Sequence, residues 1–307
     1  MTEPSLNFVL CPDAADGHRM AYWQWGQPDS AHLVLCVHGL TRQGRDFDVL
    51  AQALCRRAGQ SGSGGIRVIC ADVVGRGESD WLKDPMGYQV PAYAADMLTL
   101  LAHLHAQSPI ATLDWIGTSM GGLIGMVVCG QAGLPLPVPV RRLVLNDVGP
   151  ALEWLAIQRI GAYLGESGHF SSVQEAADAM WTISRSFGPH TAEEWLALSR
   201  PMVKPVTSAA GSPLRLHYDP AIALPFKQAD EASAQQSEVT LWKLYDNIRA
   251  ETLLLRGEQS DLLSSATAHA MTQRGPHARL VEFGGVGHAP TLIAKDQVAT
   301  VASFLLA

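Results

Sequence analysis

A serine set among glycines, in Gly117-Thr118-Ser119-Met120-Gly121-Gly122, follows the apolar run Thr112-Leu113-Asp114-Trp115-Ile116. Such a run suits a buried strand, and a strand turning sharply into a helix at a serine is a nucleophile elbow, with the hydroxyl exposed on a strained backbone. A serine hydroxyl is a poor nucleophile at neutral pH, so it needs a base beside it and a third group to orient that base. Gly287-His288-Ala289-Pro290 supplies the base, because it follows the strand-like run 279–283 and so places His288 on the same sheet edge as the elbow. For the orienting acid the spacing favours Asp261, in Gly257-Glu258-Gln259-Ser260-Asp261, directly after a run ending at Arg256. Asp261 has an alternative role as a helix cap ahead of Ser264. Glu258 and Asp147 compete for the same place; Asp147 ends the run 143–146 and suits either the pocket or the bracing of a loop. Acyl chemistry further calls for donors aimed at a developing oxyanion. The backbone N–H groups of Met120, next after the serine, and Leu40, after His38-Gly39, are expected to provide them, with Thr41 as an additional donor and His38 as a structural hydrogen-bonding residue.

The elements that must hold these groups follow from apolar periodicity. Residues 6–11 and 19–25 alternate and predict an antiparallel hairpin around the turn at 13–17. The continuous apolar runs 33–37 and 66–71 suit strands covered on both faces, and 46–58 and 91–106 have helical spacing, the second opening on proline. Strand 112–116, a helix over 119–131 and strand 141–146 continue the alternation, which predicts a parallel sheet with helices on both faces. After Pro150 the rhythm breaks. Residues 151–240 are rich in tryptophan and tyrosine and are cut by six prolines, as expected of an inserted lobe. Strand 251–256, helix 264–274, strand 279–283 and a closing helix over 296–306 then restore the pattern.

Five segments in order carry a resemblance: His38-Gly39-Leu40; Asp72-Val73-Val74-Gly75-Arg76-Gly77-Glu78-Ser79, whose role reads as a structural turn; Gly117 to Gly122; Arg256 to Asp261; and Gly287-His288. Over nearly its whole length the chain resembles the α/β-hydrolase family. The resemblance implies an α/β fold, a mostly parallel doubly wound sheet, with residues 1–150 and 241–307 as the core and 151–240 as a mainly helical cap. The order Ser119, Asp261, His288 matches that arrangement and no other serine triad. Relatives that form alkyl-enzyme esters carry aspartate at the elbow, so Ser119 points to hydrolysis of a carboxylic ester, thioester or lactone. Two other readings stay open: a carbon–carbon bond hydrolase of ring-fission products with the same triad, disfavoured by Thr118 before the serine, and a small-ligand receptor without turnover. Residues expected near substrate are Thr41, Arg42, Asp147, His217 and Tyr218. Arg45 is expected in a solvated loop.

Composition removes other classes. The chain has 307 residues, 47% hydrophobic and 17% charged, enough for one large core with an insertion. A formal charge of -7 with scattered Lys and Arg argues against nucleic acid. The five cysteines show no paired metal or redox spacing, so no metal or cofactor is expected. The N-terminus lacks a signal-peptide pattern and no run is suited to a bilayer, which predicts a cytoplasmic protein acting on a small ester-like molecule.

Overall fold

The computed structural model describes residues 3–14, 16–60, 65–166 and 168–307. Met1 and Thr2 of the N-terminal segment and Ala15 of the expected hairpin turn lie outside the described residues. In chain order the first part comprises β1 (Ser5–Cys11), β2 (His18–Gly26), β3 (His32–Val37), α1 (Asp48–Gln60), β4 (Arg67–Ala71), α2 (Val90–Gln107), β5 (Thr112–Thr118), α3 (Met120–Gly130) and β6 (Val140–Asn146). Next come α4 (Trp154–Tyr163), β7 (His169–Phe170), α5 (Val173–Ser184), α6 (Ala192–Ser199), β8 (Val203–Pro205), β9 (Leu214–Leu216), α7 (Ala223–Gln228) and α8 (Glu231–Asn247). The chain closes with β10 (Glu251–Gly257), α9 (Ser265–Gln273), β11 (Arg279–Phe283) and α10 (Lys295–Leu305).

Eight strands form one sheet in the order β1-β2-β4-β3-β5-β6-β10-β11. β1, β2 and β4 pair antiparallel, and every pairing from β4 to β11 is parallel. Successive side chains of a strand point to opposite faces, so the continuous apolar runs feed two cores. On β3, Leu33, Leu35 and Val37 join the cluster under α2 and α3, while Val34 and Cys36 join the one under α1 and α10. β4 divides in the same way: Ile69 and Ala71 go to the first face, Val68 and Cys70 to the second. At the β1–β2 hairpin, His18 bonds Asp13 at 3.0 Å and Asp96 at 3.2 Å, which ties the turn to α2.

Local signals set the helix ends. Proline occupies the first turn of α2, where its missing N–H costs no helical bond. Ser264 caps α9 by accepting from the Thr267 N–H, so the capping alternative for Asp261 falls to Ser264. The expected helix from residue 46 opens as a 3-10 turn over Gly44–Phe47 before α1 begins.

The segment between β6 and β10 is less purely helical than its sequence suggests. Within it β7, β9 and β8 form a three-stranded antiparallel sheet, of strands only two or three residues long. A separate cluster of Ala176, Ala177, Met180, Trp195, Leu198 and Met202 gives this segment its own apolar centre. A boundary at 240 cuts through α8, which starts at an Asp230/Ser233 capping box and runs to Asn247. That helix lies so close to α3 that a Cβ on Gly130 would strike the Leu244 backbone. Among the described residues no helix is long and apolar enough to cross a membrane.

Candidate active site

Ser119 sits between β5 and α3 at φ 50°, ψ -116°, a backbone position that most side chains avoid. The surrounding glycines make it reachable. A Cβ on Gly121 would run into the Val37 carbonyl of β3, and one on Gly117 into the Gly121 carbonyl, so both positions need hydrogen there. The Ser119 N–H bonds the Asn146 carbonyl at 3.0 Å, which fastens the elbow to the end of β6.

Asp147, the next residue along, is buried at φ 56°, a left-handed conformation that Asp tolerates better than most residues. Its Oδ2 lies 2.7 Å from His288 Nδ1, and His288 Nε2 lies 2.9 Å from Ser119 Oγ. An ionised carboxylate only accepts, so Nδ1 donates to Asp147, Nε2 is left as an acceptor, and the Ser119 hydroxyl donates to it. Asp147 is itself held in place. Its Oδ1 accepts the Gly257 N–H at 2.8 Å and its Oδ2 accepts the Ser260 hydroxyl at 2.6 Å. The loop bearing His288 is anchored as well: Ser186 Oγ donates to the His288 carbonyl at 3.0 Å, and the Gly287 N–H donates to the Ser186 carbonyl at 2.5 Å.

The expectation that Asp261 lies against the histidine is corrected. After β10 the chain turns tightly, with Ser260 N–H bonded to the Gly257 carbonyl at 2.9 Å, and Gln259 N–H bonded to Val286. This turn aims Ser260 back at Asp147 and carries Asp261 outward. Asp261 instead takes both sides of Arg159 on α4, at 2.7 and 3.0 Å, with its side chain 45% exposed. Glu258, the other competitor, accepts from the Gly285 N–H at 3.3 Å.

Met120 directly follows Ser119, and Leu40 lines the same cavity as the serine. Met120 is the first residue of α3, so its N–H is one of those a helix start leaves without an intrahelical acceptor. Leu40 lies in the turn after β3, where the Arg42 N–H bonds the Gly39 carbonyl at 3.1 Å. His38 braces this turn: the Val73 N–H donates to its Nε2 at 2.9 Å, so Nδ1 bears the proton and donates to the Gly39 carbonyl at 2.7 Å. Burial pushes the His38 ring down to about 3, which keeps it neutral and unsuited to service as a second base. Asp72 fixes the neighbouring turn by accepting from the N–H groups of Gly44 and Glu78 and from the Trp23 indole.

Arg76 was not foreseen as part of this site. Its guanidinium is fully buried, donates to the Leu40 carbonyl at 2.8 Å and the Val74 carbonyl at 2.7 Å, and lies 3.5 Å from Met120 Sδ. The rings of Tyr93 and Tyr88 flank it at 4.9 and 5.8 Å. It thus touches both Leu40 and Met120.

Above Ser119 and His288 opens a cavity of about 390 Å³. Its walls are mainly apolar and come largely from the segment between β6 and β10, including Ile160, Phe170, Met180, Ile183 and Leu216. Thr41, Arg42 and Tyr218 line it as expected from the sequence. Arg42, however, is already committed: it binds Asp46 through two 2.7 Å bonds and donates to the Leu198 carbonyl at 3.3 Å. His217 does not line the cavity. Directly after β9 it is buried, with its Nδ1 3.3 Å from the Pro201 carbonyl, so its expected place beside substrate is also corrected. Arg45 pairs with Asp48 and stacks over Trp23, away from the cavity. Arg159 and Tyr163, one helical turn apart on α4, line the cavity and escaped the sequence reading; no motif marks them.

Comparisons with known proteins bear on the family and the fold. The sequence model of the α/β-hydrolase fold matches residues 32–293. A 3-hydroxybutyrate-oligomer hydrolase of Cupriavidus necator is 47% identical over 301 residues, covering 98% of this chain and 97% of the relative. Among solved structures, a Rickettsia typhi chain described as a hydrolase superimposes with a TM-score of 0.83 at 28% identity, over 98% of this chain and 99% of its own. An α/β hydrolase of Novosphingobium aromaticivorans gives 0.76 at 32% identity, over 100% and 99%.

Proposed function

Since this chain belongs to the α/β-hydrolase fold family, we propose that it is a serine hydrolase of carboxylic esters whose substrates are short oligomers of 3-hydroxybutyrate. The observation that carries the reading is the hydrogen-bonded line from Ser119 through His288 to Asp147 at the floor of the cavity. The substrate follows from the relative with 47% identity, whose own name states an oligomer of that acid. Apolar walls suit its methyl-branched units.

Ser119 Oγ attacks the ester carbonyl carbon while His288 Nε2 takes the hydroxyl proton, and Asp147 stabilises the imidazolium without itself becoming protonated. The carbonyl oxygen becomes an oxyanion held by the N–H groups of Leu40 and Met120. Collapse breaks the bond to the alcohol oxygen, which leaves with the proton from His288. Water then adds to the acyl-enzyme, giving its proton to His288, and the bond to Oγ breaks to release the acid and restore the serine. The segment between β6 and β10 acts as a cap that shapes the pocket. A cytoplasmic location accords with five free cysteines.

Incubation with the 3-hydroxybutyrate dimer and assay of released monomer tests the reading. The unaltered chain should turn over many times, and Ser119→Ala should lose essentially all turnover while remaining folded. A single stoichiometric burst would favour a receptor, and full activity in Ser119→Ala would remove the serine mechanism.

A further inference from the structure

A 3-hydroxybutyrate oligomer ends in a free carboxylate, and a cavity that accepts it must place that charge somewhere. This inference rests on the proposed function and names how the same site selects its substrate. Two guanidinium groups line the cavity, those of Arg42 and Arg159. Arg42 is unsuited to a second anion, because Asp46 and Leu198 already occupy its donors and its side chain is only 12% exposed. Arg159 is placed differently. Its partner Asp261 is not among the cavity-lining residues and is 45% exposed, so the pair stands in water-screened surroundings where such bridges are weak.

Tyr163, four residues on along α4, lines the same cavity as Arg159, and residues at that spacing share one face of a helix. The planar guanidinium fork of Arg159 matches the two oxygens of a carboxylate, and the phenol of Tyr163 on the same wall is a further hydrogen-bond donor. The acidic side chain on the cavity wall, Glu166, is exposed beyond the end of α4, where solvent screens its repulsion.

We propose that Arg159 and Tyr163 form a carboxylate subsite that binds the free acid end of the oligomer, and that Asp261, from outside the cavity, competes with the substrate for the Arg159 guanidinium. In a dimer that carboxylate belongs to the leaving alcohol, so the subsite holds the departing unit while the other unit becomes the acyl group on Ser119. The contact is made equally in the bound and transition states, so its effect falls on KM and not on kcat.

The test compares the 3-hydroxybutyrate dimer as free acid with its methyl ester, on the full chain, by kcat/KM. In Arg159→Gln the ratio of acid to ester should fall about tenfold, through KM, as expected for loss of one charge-assisted contact. In Asp261→Asn, with the competing carboxylate removed, the ratio should rise severalfold. The ester, measured on the same preparation, reports whether the site is intact. Equal losses on both substrates in Arg159→Gln, or an unmoved ratio, would overturn the subsite, and an unchanged or lower ratio in Asp261→Asn would overturn the competition. Failure of the unaltered chain to cleave either substrate would instead defeat the functional reading on which the subsite rests.

Discussion

Ser119 depends on neighbours that never meet substrate. Arg76 holds the Leu40 carbonyl, and so fixes the plane of the Leu40–Thr41 peptide in the turn after β3, while also lying against Met120 Sδ. A buried cation without a carboxylate partner among its bonds is costly unless its donors and faces are used, and here two carbonyls and two tyrosine rings use them. Its positive field also favours a negative charge forming nearby. Arg76→Lys keeps the charge but loses the fork, so kcat should fall about tenfold or more with KM nearly unchanged, since misdirected donors matter most in the transition state. Steady-state kinetics beside a thermal melt check this; equal changes in kcat and KM, or loss of folding alone, would contradict the positioning role.

Elements explain which residues the sequence disclosed. The strands on either side of the elbow were legible because continuous apolar runs have few other uses, and Ser119 and His288 were legible because each follows such a run within a glycine-marked loop. The acid was misassigned because strand ends β6 and β10 both present an Asp on the correct edge, and the choice is made by the turn over Gly257 to Ser260. A bend of that kind depends on bonds to β11's exit loop, far away in sequence. The cavity walls were illegible for a similar reason: Arg159 and Phe170 have no motif and meet only after the inserted segment has folded.

The turn between β3 and α1 makes a pH-dependent contribution whose sign is determined. Neutral His38, held down to about 3 in the fold against an ordinary 6.5, adds stability fully present above pH 6.5 and lost as pH falls towards 3. Asp72, which burial pushes up to about 7, works in the opposite sense over much of that window, so the raw pH profile mixes the two. His38→Gln keeps an acceptor for Val73 and shares Asp72, so the difference between the chains isolates the ring. That difference should fall by up to about 1.4 kcal/mol for each unit of acidification below 6.5. Denaturation at pH 6.5, 5.5 and 4.5 measures it, and parallel curves would contradict the account.

At the scale of the whole molecule, the site is a consequence of sheet order. Ser119 leaves β5, Asp147 leaves the adjacent β6 and His288 follows the edge strand β11, so groups separated by 141 and 169 residues come within hydrogen-bond reach only when the sheet is complete. The inserted segment roofs the same edge and contributes most of the cavity wall. Asp261 belongs to the contact between that segment and the sheet, through Arg159. The central claim is therefore that Asp147, and not Asp261, orients the histidine. Ester hydrolysis by Asp147→Asn and Asp261→Asn, measured side by side on the methyl ester of the 3-hydroxybutyrate dimer, tests it most directly. The account predicts a loss in kcat of about 10⁴ for Asp147→Asn and a kcat near that of the unaltered chain for Asp261→Asn; the reverse order of severity would contradict it.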